Sequence, residues 1–179
     1  QGGISIMDFT DSANPYEIAF FDRGPMLEDS LLSGGFWSTY FYKGFVYGTE
    51  MVRGLDVLEL LPSEYLSVNE IEAAKLAFPK HGPKNIFNPQ QQTEMTWPIN
   101  PTLALAYLDQ VKREGSIDNN NEEILRSSLI GLESRTSPEN HKILSIIKEF
   151  SELGSSKFTQ NSEKTSVLQN VLKELTSKA

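Results

Sequence analysis

Near residue 66 the chain passes from one structural chemistry to another, and that break constrains the fold more than any motif does. Residues 1–66 hold 12 of the 18 aromatics, with 10 acidic residues against 3 basic ones, for a net charge of −7. Residues 67–179 hold 14 acids and 13 bases, for a net charge of −1. The first stretch is rich in Gly, Phe, Tyr and alternating apolar residues, which suit a pleated surface. The second carries Leu and Ile at helical spacing among Lys, Glu, Asn and Ser. The expected fold class is therefore mixed: antiparallel β first, then an α-helical extension.

Alternation places strands at about 3–9, 16–21, 37–42, 45–50 and 54–60. Asp11-Ser12-Ala13-Asn14-Pro15 supplies a turn between the first two. Lys43-Gly44 fits a two-residue hairpin, with Gly44 free to take positive φ. Val52-Arg53 makes a similarly tight return into Gly54.

The segment Gly3–Phe9 matches Gly54–Leu60 in residue class, position for position, at an offset of 51 residues. Propeller blades repeat at about 40–50 residues. On that period, 3–9 and 16–21 are the outer two strands of one blade, and 37–60 supplies the first three strands of the next. The fourth strand of that last blade would come from the N-terminal end of a closed ring. Repeat units need neighbours to bury their faces, so about five further blades are expected upstream of Gln1.

The same residues carry a family resemblance. Ile6-Met7-Asp8-Phe9-Thr10-Asp11 with Asn14-Pro15, and Glu17–Pro25, are similar to the end of bacterial LVIVD-repeat proteins. So are Gly35–Tyr40, Gly48-Thr49-Glu50 and Arg53–Val57. The resemblance covers residues 1–75, fades through Glu94–Pro98 and stops by residue 115. It implies an exported β-propeller, periplasmic or attached to the cell envelope, with no catalytic residues to carry over.

Ser67-Val68-Asn69-Glu70 is a capping box that opens a helix to about Ala77. Pro79, Pro83, Pro89 and Pro98 then rule out a regular element over 79–98. Asn100-Pro101 caps a helix ending before Gly115. Three more helices are expected: 122–133 capped by Asn121, 138–153 opened by Ser137-Pro138 and stopped by Gly154, and 163–177 after Ser162. The apolar stripes of these three want partners, predicting a helical hairpin or three-helix bundle. The organisation read from sequence is thus 1–66 as partial propeller blades, 67–99 as capping helix and proline-rich connector, and 100–179 as a helical hairpin or small helical bundle.

A net charge of −8 and a pI near 4.8 argue against nucleic acid as the main partner. Zero cysteines exclude disulfides, thiol nucleophiles and thiolate metal sites, and two histidines exclude a three-histidine centre. No apolar run approaches the ~20 residues of a membrane span. No charged and apolar leader precedes the first strand, which fits a processed exported protein or a fragment.

Candidate chemistry is sparse. His81 and His141 lack partners that converge in sequence. Asp22, Glu28, Asp29, Glu50, Asp56 and Glu59 lack metal-loop spacing, and no G-x-S-x-G elbow occurs. Arg23 and Arg53 fall in connections expected on one propeller face, near Trp37. An arginine pair beside an aromatic can hold an anionic or aromatic ligand. Equally, Arg53 can pair with Glu50 or Asp56 to brace a blade corner. The candidate binding residues are therefore Arg23, Trp37, Glu50, Arg53 and Asp56, with no catalytic residue, metal or cofactor expected. The run Phe36, Trp37, Tyr40, Phe41, Tyr42, Phe45 and Tyr47 is assigned to core packing.

These readings point to a non-catalytic binding or scaffolding surface with a helical tail for interaction, including self-association through the C-terminal helices. The ligand, protein or small molecule, is unspecified. The alternative is part of an enzyme whose active site lies on the propeller channel face, with its key residues upstream.

Overall fold

The computed structural model of the chain describes residues 2–30, 32–80, 94–133, 140–152 and 155–177. Two compact units divide between Thr96 and Trp97.

In the first unit, β1 (Ile4–Asp8) and β2 (Tyr16–Phe21) pair antiparallel. The Asp11 carboxylate tightens their turn by accepting from the Ala13 N–H and the Asn14 side-chain amide. A three-stranded meander follows, β3 (Phe36–Tyr42), β4 (Phe45–Glu50) and β5 (Gly54–Glu59), in that spatial order. Lys43 and Gly44 sit at φ 49° and 85°, the double left-handed geometry of a two-residue hairpin matched to strand twist. The strands fall where alternation predicts. No four-stranded blade is present among the described residues, and the observed class is mixed α and β.

The two glycines of the 51-residue echo play different roles. Gly54 turns the chain at φ 90°, whereas a Cβ on Gly3 would lie 2.3 Å from the Phe21 carbonyl oxygen.

One face of the meander is covered. Val46, Gly48 and Glu50 alternate along β4 as its buried positions, and Gly48 lets the Phe36 ring and Ile4 close on the sheet. The opposite face presents Tyr40, Tyr42, Phe45, Leu55 and Val57, all exposed. Of the aromatic run, Phe36 packs against Gly48 and Phe21, whereas Trp37, Tyr40, Phe41, Tyr42 and Phe45 are exposed rather than core. Trp37 falls at the register shift between Phe36 and Ser38 and is 77% exposed.

The capping box forms as read: Ser67 Oγ accepts from the Glu70 N–H, and Glu70 reaches back to the Ser67 N–H. It starts α1 (Val68–Lys75), which buries Ile71 and Ala73. The stretch expected to lack regular structure does contain a small ladder, β6 (Phe78–Pro79) with β7 (Met95–Thr96). A ladder this short tolerates Pro79, since the next donor, the Lys80 N–H, reaches Glu94 O. His81, Pro83, Pro89 and Gln90–Gln92 lie outside the described residues.

The second unit holds α2 (Pro101–Arg113), α3 (Asn119–Glu133), α4 (Asn140–Ser151) and α5 (Glu163–Ser177). Each packs on the next, and α5 returns to α2. Leu108, Leu125, Leu129, Ile147, Phe150, Leu168 and Leu172 are fully buried between them. A three-helix arrangement was too small an expectation, because α2 contributes the fourth wall. The cap of α3 is Asp118 rather than Asn121: its carboxylate accepts from the Asn121 N–H at 2.9 Å, and its carbonyl accepts from Glu122. Ser137-Pro138 and Gly154 lie outside the described residues. The apolar stripes close on one another for the most part, while Ile124 and Ile130 of α3 stay exposed. No described helix is long and apolar enough to cross a membrane.

Candidate functional site

Four of the five predicted binding residues, Arg23, Glu50, Arg53 and Asp56, meet at a corner where the two larger sheets of the first unit adjoin. Glu50, the last residue of β4, turns its carboxylate inward and is 7% exposed. It accepts from the Gly35 N–H at 2.8 Å, the Val52 N–H at 2.8 Å and the Arg53 N–H at 2.5 Å. One carboxylate thereby satisfies the tight turn into β5 and the approach to β3. The Gly35 and Arg53 amides hold its pKa below the ordinary value of a glutamate.

Arg23 follows β2 and crosses to Asp56 of β5, with Nη2 2.5 Å from Oδ2. Its guanidinium lies 4.9 Å from the Phe21 ring centre and 5.9 Å from that of Phe36. Those two rings meet edge to face at 6.1 Å. The bond to Asp56 raises the arginine's pKa further, so it stays cationic at any relevant pH. Arg53 sends Nη2 to the Gly24 carbonyl at 3.4 Å, a long contact.

The brace across this corner is therefore Arg23–Asp56. Glu50 is bound to the Arg53 backbone, and the expected ion pairs of the Arg53 guanidinium with Glu50 or Asp56 are not what joins the strands. The cavity beside Gly2, Gly35 and Glu50 measures about 10 Å³, no more than a water's space. The carboxylate of Glu50 is held by three backbone amides and Arg23 is paired with Asp56, so these side chains brace the corner. Trp37 stands exposed on β3, and the ring holding Arg23 is its neighbour Phe36. His141 lies exposed in the first turn of α4. Among the described residues, no group of three or more His, Asp or Glu is arranged to hold a metal ion.

The larger feature was invisible to motif reading. A groove of about 810 Å³ opens between the β1–β2 sheet and the far end of β5. Ile4, Ile6, Ile18, Phe20, Val46 and Leu58 contribute its apolar lining. Its charged lining residues are all carboxylates: Glu17, Glu59 and Glu64. Its sequence trace is Leu58, Leu60 and Leu61 ahead of Pro62, a leucine run broken by Glu59 that continues beyond the paired strand.

No protein-family model, curated protein or solved structure matches the chain.

Proposed function

We propose that this chain is a non-catalytic binding or scaffolding unit, with residues 1–66 forming the last one and a half blades of an exported β-propeller of the LVIVD-repeat type. One observation carries the reading: the β3–β5 meander is covered on one face and leaves Tyr40, Tyr42, Phe45, Leu55 and Val57 exposed on the other. An aromatic sheet face of that kind is built to pack against a further sheet. The three backbone amides on the Glu50 carboxylate and the Arg23–Asp56 pair support a scaffold rather than a reaction centre. The four-helix unit supplies the interaction tail.

The reading frame around the gene tests this directly. Blade-like segments repeating at about 40–50 residues upstream are the expected finding. Their absence removes the propeller and leaves only a two-unit mixed protein.

A further inference from the structure

We draw no further inference here: the strongest candidate, the apolar groove between the β1–β2 sheet and the chain from Leu58 to Tyr65, opens where the closing strand of the proposed propeller would lie, and nothing in the structure shows another occupant.

Discussion

Gly44 lies directly against Lys75: a Cβ built on the glycine would fall 2.3 Å from the lysine Cγ. The hairpin tip and the last turn of α1 thus meet at a residue that must lack a side chain for two reasons, the contact and a φ of 85°. Lys75 also bonds Glu72 on its own helix at 2.8 Å and approaches Glu59 of β5. The helix is therefore part of the β unit's own packing.

Gly44→Ala should destabilise the first unit by more than about 1 kcal/mol, through the left-handed backbone and the collision with Lys75. Gly24→Ala, where nothing lies within 4 Å and φ is not positive, is the control and should be near neutral. Hydrogen exchange along β4 measures both. Equal effects would show that α1 does not seat on the hairpin.

Acid should loosen the corner through Glu50. A carboxyl whose folded pKa is depressed stabilises fully above its unfolded value, near 4.5, and that stabilisation is lost as pH falls through the lowered value. Denaturation midpoints of the first unit should therefore fall between pH 5 and lower pH. Glu50→Gln should lower stability at neutral pH and flatten that dependence. An unchanged acid slope in the variant would assign the sensitivity to other groups, such as Asp11, whose pKa is also lowered.

Leu129→Ala should cost the second unit about 2–5 kcal/mol, since this side chain is fully buried among the helices and leaves a cavity. Exchange rates in β4 should stay unchanged, because the two units are separately compact. Parallel losses in β4 would contradict that separation.

Residues 1–66 expressed alone should aggregate, and residues 1–96 should be markedly more soluble. The shorter piece removes α1 while keeping exposed Phe20, Leu55 and Leu61 and open strand edges. Light scattering at matched concentration compares them. A shorter fragment that stays monomeric with dispersed amide signals would contradict the dependence on neighbours.

Local chemistry was legible in the sequence. Two-residue alternation marked the five strands, Lys43-Gly44 marked the hairpin, and Ser67 to Glu70 marked the capping box, because each depends on residues within a few positions of one another. Longer-range pairings were not legible. Nothing local distinguishes Arg23 from Arg53 as the partner of Asp56, and the choice followed from Phe21 and Phe36 meeting around one guanidinium. Asn121 and Asp118 both suit a helix start, and in the structure the Asp118 carboxylate is the one that takes the Asn121 N–H. Alternation likewise states that a strand has two faces but not which one is covered. Composition and spacing alone determined the β-then-α order, the absence of thiol chemistry and the acidic character of the β half. Which sheet face stays open, which arginine braces the corner, and where the apolar groove opens were decided by tertiary packing, since each depends on surfaces brought together from distant parts of the chain.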